Sequence, residues 1–310
     1  MVATSPASTS STDTLSRTAQ PSPRKARKPF SGALYILPSF AILLVVMIIP
    51  ILTSLYYSFT SYSVLGSPTW IGLDNYQLLS QDPSFVDALI VTLIYTLGAV
   101  PLQTFLSLVI AEAVVRRFRN AFGRVVRSVL FVPVVSSLVV AAVVWRAILG
   151  TDQGLVNSFL GMLGLPGLNV LGNPNLALAA IILVTVWKNI GYFLVIYYAG
   201  ILAVPAELYE ASSVDGASRI QQLFKITIPS LRPITLLVVI LGTIWSFQVF
   251  DLVYVMTGGG PGGATATIVV RLYQAGFENF QMGYASAMAM ILFVIVVAIA
   301  IVQRKVLSDD

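Results

Sequence analysis

Residues 203–233 read AVPAELYEASSVDGASRIQQLFKITIPSLRP, a polar interval between two long apolar runs. Pro205 suits a first helical turn, where its missing N–H costs nothing. Glu207 and Glu210, near that end, favour the helix dipole. Leu208, Ala211 and Ser212 recur at three- and four-residue spacing and give a narrow, small-sided face. Asp215-Gly216 signals a turn. A second helix follows, with Ile220, Leu223 and Phe224 on one side, closed by Pro229 and Pro233. Two short helices meeting at a glycine make a compact knob, and a knob implies a socket. A helix lying on lipid headgroups would be strongly basic with an unbroken apolar face. Here Glu210 and Asp215 interrupt that face, which favours docking to another protein.

Outward from this interval the chain is hydrocarbon-like. Of its 310 residues 57% are hydrophobic and 10% charged, against roughly 25% charged in an average soluble domain. About 20 apolar residues cross a bilayer, and six stretches meet or nearly meet that length: about 34–57, 88–115, 125–149, 176–202, 233–256 and 283–302. The expected class is an all-α integral membrane protein of six spans, with the knob (203–232) between the fourth and fifth. Pro38, Pro50, Pro101 and Pro133 lie in or beside spans, where neighbouring helices satisfy the freed carbonyls. Arg146, Lys188 and Asp251 are charges within spans. Residues 1–30, rich in Ser, Thr and Pro without an apolar run, read as a disordered tail ahead of a transmembrane domain (31–310). The first apolar segment starts too late and runs too long for a signal peptide, so it reads as an uncleaved anchor.

Orientation follows from the basic residues. The N-terminal tail, the loop from Arg116 to Arg127, the knob and the C-terminal tail hold 15 of the 18 Lys and Arg, whereas the alternate loops (59–87, 150–175 and 257–282) hold only Arg271. Both termini and the knob are therefore expected in the cytoplasm. The Arg-rich loop reads as a topology signal with some attraction to anionic lipid. A nucleic-acid role would need a folded basic face with stacking aromatics, and none is available.

Glu210-Ala211-Ser212-Ser213-Val214-Asp215-Gly216-Ala217, followed by Phe224, Ile226, Ile228 and Pro229, resembles the EAA loop of binding-protein-dependent ABC importer permeases. The resemblance implies the type I ABC importer permease fold, with this loop as the coupling helix that fits a cleft of an ATPase subunit. Leu208, Tyr209, Glu210, Ala211, Ser212, Asp215, Gly216, Ala217 and Pro229 are the coupling residues it implies. Ser212 stands where the family usually has a second Ala. Leu37-Pro38 through Ser58-Phe59-Thr60, Gly72-Leu73-Asp74-Asn75-Tyr76, Gly154-Leu155-Val156-Asn157, Trp187 to Tyr192 and Met256 to Pro261 look like the carbohydrate-type permeases. Gly259-Gly260-Pro261 with Tyr284-Ala285-Ser286-Ala287 points to the subunit resembling the maltose permease F component, in a short version of six spans. Implied partners are a second homologous permease, two cytoplasmic ATPase subunits, an extracellular or periplasmic solute-binding protein, a sugar and membrane lipid. The implied location is a bacterial or archaeal plasma membrane.

The chain carries no motor of its own. A P-loop needs Gly-Lys followed by Ser or Thr, and none of the five lysines satisfies this. The run Gly258 to Gly263 has no such lysine and reads as an outer turn. No cofactor is expected in this chain; ATP and Mg²⁺ belong to the partner subunits. Without His or Cys, an intramembrane protease would need paired carboxylates, but Glu112 and Asp251 lie towards opposite faces. An enzyme is not expected, and Glu112 reads as an interfacial residue paired with Arg116.

An ion-coupled secondary transporter is the rival class, since such proteins place charges or broken helices near the midplane. At 1.5 Å per residue Lys188 lies roughly 21 Å, and Asp251 roughly 27 Å, from the inner ends of their spans. The two either pair across a wetted cavity or point separately to water or to a neighbouring subunit. Sugar sites combine amides and hydroxyls with aromatic platforms, and Trp145, Trp187, Asn189, Tyr192, Trp245, Ser246 and Gln248 supply them mid-membrane. In the maltose-type relatives the solute contacts flank the coupling loop. By motif spacing the matching positions are Asn189, Tyr192, Gly242, Ser246 and Val249, so that with Trp145, Lys188 and Asp251 these form the expected pathway. The expected function is a permease subunit of an ATP-driven importer for a sugar or oligosaccharide. A non-sugar solute such as glycerol phosphate is the alternative within that class.

Overall fold

The computed structural model describes residues 2–3, 30–64, 66–116, 121–150 and 154–308. The expected disordered tail (1–30) lies outside these, apart from residues 2, 3 and 30. Residues up to Pro50 and residues from Ile51 onward form two compact units. In the first, α1 (Phe30–Leu43) passes through Pro38 into a π turn, Leu44–Ile48, in which the Ile49 N–H reaches Leu44 O. Pro50 follows at once. Proline has no N–H for the next α-turn, and a five-residue turn absorbs the change of register. The helix continues as α2 (Ile49–Ser58).

After the rest of α2 (from Ile51), the second unit has a two-stranded antiparallel ladder, β1 (Thr60–Ser61) and β2 (Thr69–Trp70), and α3 (Asp74–Gln81). The long α4 (Pro83–Arg116) follows, then α5 (Ala121–Val135), α6 (Leu138–Leu149) and the short α7 (Leu155–Met162). α8 (Pro174–Ala203) starts on Asn173, whose side chain accepts from the Asn175 and Leu176 amides, with Pro174 in its first turn. The knob comprises α9 (Ala206–Val214), α10 (Arg219–Gln222), a π turn at Leu223–Thr227 and α11 (Ile228–Ser230). Then come α12 (Arg232–Phe247), α13 (Asp251–Thr257), α14 (Ile268–Tyr273), a third π turn (Gln274–Glu278) and α15 (Met282–Ser308).

Among the described residues four helices are long and apolar enough to span a bilayer, or six if each bent pair is one span. The first, second, fourth and sixth expected spans are continuous helices. The third and fifth are not, and this corrects the sequence reading. The third breaks at Ser136-Ser137, where α5 and α6 meet at 100°. The fifth is helical only from Arg232 to Phe247 and resumes at Asp251. The knob's second helix closes beside Pro229, as expected. It runs to Ser230 and turns by 70° into α12, the π turn absorbing Pro229 as the earlier one absorbs Pro50.

Helix pairing centres on α4 and α8. Tyr95 and Ala99 meet Ile181 and Val184 in one buried cluster, and the Tyr95 and Thr185 hydroxyls share a hydrogen bond of 2.8 Å. A Cβ at Gly191 would overlap Leu130 O, so glycine there sets how closely α8 approaches α5. At the other end of the molecule Asp82 caps α4: its Oδ1 accepts from the Ser84 amide (2.9 Å) and its Oδ2 from the Tyr284 hydroxyl of α15 (2.6 Å).

Candidate functional site

Both helix breaks open onto one cavity of about 370 Å³, within the size range of small-molecule sites. Val134 and Leu138 border it on either side of the α5–α6 break, and Ser246, Gln248, Val249, Phe250 and Asp251 border it across the α12–α13 break. Tyr95 of α4 and Thr185, Lys188, Asn189 and Tyr192 of α8 complete the wall with Trp245. Of the pathway residues expected from sequence, the fold thus brings Lys188, Asn189, Tyr192, Ser246, Val249 and Asp251 to one space.

Trp145 and Gly242 do not border this cavity. Trp145 meets Trp187 edge to face at 5.5 Å, away from the cavity. Gly242 is buried against α4, where a Cβ would sit 2.5 Å from Gln103 Nε2; its smallness serves helix contact. Gln103, fully buried, was not foreseen. Its Oε1 accepts from Asn189 Nδ2 at 3.1 Å and so fixes the amide at the cavity wall. The Tyr192 and Trp245 rings lie 5.0 Å apart, giving the cavity an apolar aromatic side beside its hydroxyls and amides.

The charges take partners other than each other. Lys188 is 7% exposed, and its Nζ donates to Pro133 O (2.5 Å), Val134 O (3.1 Å) and Ser136 O (2.8 Å). Asp251 lies in the first turn of α13, where its carboxylate favours the helix dipole. Among the described residues the one ion pair joins Glu112 and Arg116, so Lys188 and Asp251 share the cavity without pairing. Arg146 donates to Val255 O at 3.2 Å and links α6 to α13.

The second site is the knob. Gly216, at φ +78°, makes the turn between its helices. Ser218 and Gln221 form a reciprocal capping box at the start of α10. The buried Gln222 Nε2 stands 2.9 Å from both Ser212 Oγ and Ser213 Oγ and 3.3 Å from Tyr209 O. The hydroxyl that Ser212 places where the family has Ala is therefore one of the contacts that clasp the two helices. Arg116, at the end of α4, lays its guanidinium 3.8 Å over the Tyr209 ring and donates to Gln222 Oε1 (3.2 Å) and Thr227 Oγ1 (3.4 Å). Glu112 holds the same guanidinium from below. Tyr209 and Ser212 thus face inward, while Glu210, Ala211, Asp215, Gly216 and Pro229 are exposed and Ala217 is half-buried. Apolar side chains crown the knob: Leu208, Val214, Ile220 and Phe224 are each 48% or more exposed. The sequence reading paired Arg116 with Glu112, as observed, but did not foresee its contacts with Tyr209, Gln222 and Thr227, because these exist only once α4 meets the knob.

The glycine run forms a built turn, as expected. Gly258 ends α13 in the left-handed region, and the Thr257 hydroxyl meets that of Thr265, which donates to Gly260 O at 2.7 Å.

A family model described as "Binding-protein-dependent transport system inner membrane component" matches residues 78–307. The chain is 35% identical over 275 residues to "Probable ABC transporter permease protein YurN" of Bacillus subtilis (strain 168), covering 88% of this chain and 94% of that protein. It is 34% identical over 284 residues to "Trehalose/maltose transport system permease protein MalF" of Thermococcus litoralis (strain ATCC 51850 / DSM 5473 / JCM 8560 / NS-C), covering 91% and 95%. The fold also matches a chain of the bacterial alginate ABC transporter solved in complex with an alginate pentasaccharide-bound periplasmic protein. That match has a TM-score of 0.79 at 21% identity and covers 89% of this chain and 93% of that one.

Proposed function

The chain belongs to the family of binding-protein-dependent transport system inner membrane components, and from that premise we propose that it is the membrane-spanning permease subunit of an ATP-driven importer for a sugar or oligosaccharide. It is an integral membrane protein and a transport subunit, not an enzyme. The relatives named for trehalose and maltose, and a cavity that sets aromatic faces beside amides and hydroxyls, support the solute class.

The observation that carries the reading is the knob itself: a clasped pair of short helices with an exposed apolar crown, tied by Arg116 to the end of α4. A segment so rigidly built and so apolar outside belongs against a partner. That partner is one of two cytoplasmic ATPase subunits. A second homologous permease completes the pathway, and an external binding protein delivers solute to the outer loops. ATP-driven closure of the ATPases moves the knob, and α8, which enters it directly, carries the movement to the cavity wall. Both termini face the cytoplasm of a bacterial or archaeal cell.

Reconstitution tests this. The chain with its native associates, in proteoliposomes with the binding protein outside, accumulates sugar when ATP is inside and does so without an ion gradient. Uptake by this chain alone, driven by an ion gradient, would remove the proposal.

A further inference from the structure

Lys188 presents a cation inside a span, where an ionised side chain is costly unless fully satisfied. An ammonium has three donors, and three carbonyls meet this one: Pro133 O, Val134 O and Ser136 O, at 2.5 to 3.1 Å. Pro133 and Val134 lie in the last turn of α5 and Ser136 just past it, where the helix end is partly negative. Pro133 O also accepts from the Ser136 amide and hydroxyl, so the carbonyls that most need the ammonium inside the hydrocarbon are Val134 O and Ser136 O. One cation therefore resolves two costs, its own burial and that of the broken helix end. No donor is left for solute.

We infer that Lys188 is a positioning residue that holds the α5–α6 break open and so shapes the solute cavity without touching solute. Val134 and Leu138, on either side of the break, both border that cavity. Gly191, one turn along α8 from Lys188, seats the same helix face against Leu130 O. The seam between α8 and α5 thus ends in the ammonium clamp. Because α8 also leads into the knob, a shift of α8 reaches the cavity wall through Lys188. The solute part of this inference deepens the transport reading and rests on it; the geometry of the break does not.

The chain contains no cysteine, so spin labels at Val125→Cys and Val144→Cys, exposed positions on α5 and α6, report the bend by double electron–electron resonance in the assembled transporter in nanodiscs. Lys188→Met shifts the distance distribution to longer values and broadens it. Lys188→Arg, whose planar fork converges poorly on three carbonyls, gives an intermediate distribution. In sugar uptake the half-saturating concentration rises about tenfold or more for Lys188→Met and less for Lys188→Arg. The maximal rate changes less than either, and the associated ATPases still co-purify. An unchanged distribution in Lys188→Met overturns the inference, and unchanged bending with lost uptake would place Lys188 on the solute instead. If Lys188→Met fails to reach the membrane, Lys188→Arg decides by the same readouts. Loss of both variants from the membrane would make Lys188 a general folding determinant and overturn the local role. Failure of ATPases to accompany even the unmutated chain would refute the transport reading while leaving the bend measurement standing.

Discussion

Gly191 and Gly161 are both helical glycines, yet they do opposite things. A Cβ at Gly191 overlaps a backbone carbonyl of α5, and backbone cannot rotate aside, whereas nothing lies within 4 Å of one at Gly161. Gly191→Ala therefore lowers stability by about 1–3 kcal/mol, the usual cost of overpacking. Gly161→Ala stays within about 0.5 kcal/mol, as exposed changes do. Thermal unfolding of the two purified variants compares them directly. Asp82 supports a second prediction at this scale. Partial burial pulls its carboxyl upward, but bonds from the Tyr284 hydroxyl and the Ser84 and Phe85 amides outweigh that and hold it below its ordinary value of 3.8. A depressed carboxyl contributes stability that is present above the ordinary value and lost as pH falls through the folded one. Asp82→Asn keeps an N-cap acceptor but not the charge. The melting temperature of the variant falls below that of the unmutated chain at pH 7, and the gap closes as pH drops below 3.8.

Elements were legible in the sequence where their cause was local. Four spans and the knob's hairpin follow from apolar run length, the Asp215-Gly216 turn and Pro205 at a helix start, all within a few residues of their effect. The two breaks were not legible. Pro133 followed by Ser136-Ser137, and an aspartate inside an apolar run, read as tolerated interruptions because the group that stabilises the first break stands 52 to 55 residues further on. In hindsight Asp251 was a helix-start signal, and a Ser pair three residues past a proline was a stop. The link between α4 and the knob is another such relation. Arg116→Ala removes an ion pair, a cation–π contact and two hydrogen bonds at once. Coupling residues of this kind are worth about 0.5–2 kcal/mol. We expect the assembled transporter to keep its subunits while ATP hydrolysed per sugar imported rises severalfold, measured in the same vesicles.

At the scale of the whole molecule the basic residues predict an orientation that chemical labelling can read. With no native cysteine, Met162→Cys and Val306→Cys, both highly exposed, are reporters on the two sides that this orientation separates. A membrane-impermeant maleimide added to intact cells is expected to modify Met162→Cys and to reach Val306→Cys only after permeabilisation. The reverse pattern would invert the topology.

The ladder of β1 and β2 is seated against α15. The Gly283 amide donates to Tyr62 O at 3.1 Å, beside the point where a side chain at 283 would strike Thr60 O, and Tyr284 caps off Asp82 from the same turn. Acceptors early in the chain thus find their hydrogen-bond donors on α15, more than 200 residues later. A chain truncated before Met282 therefore leaves the ladder unanchored and the Asp82 carboxylate without its phenol donor.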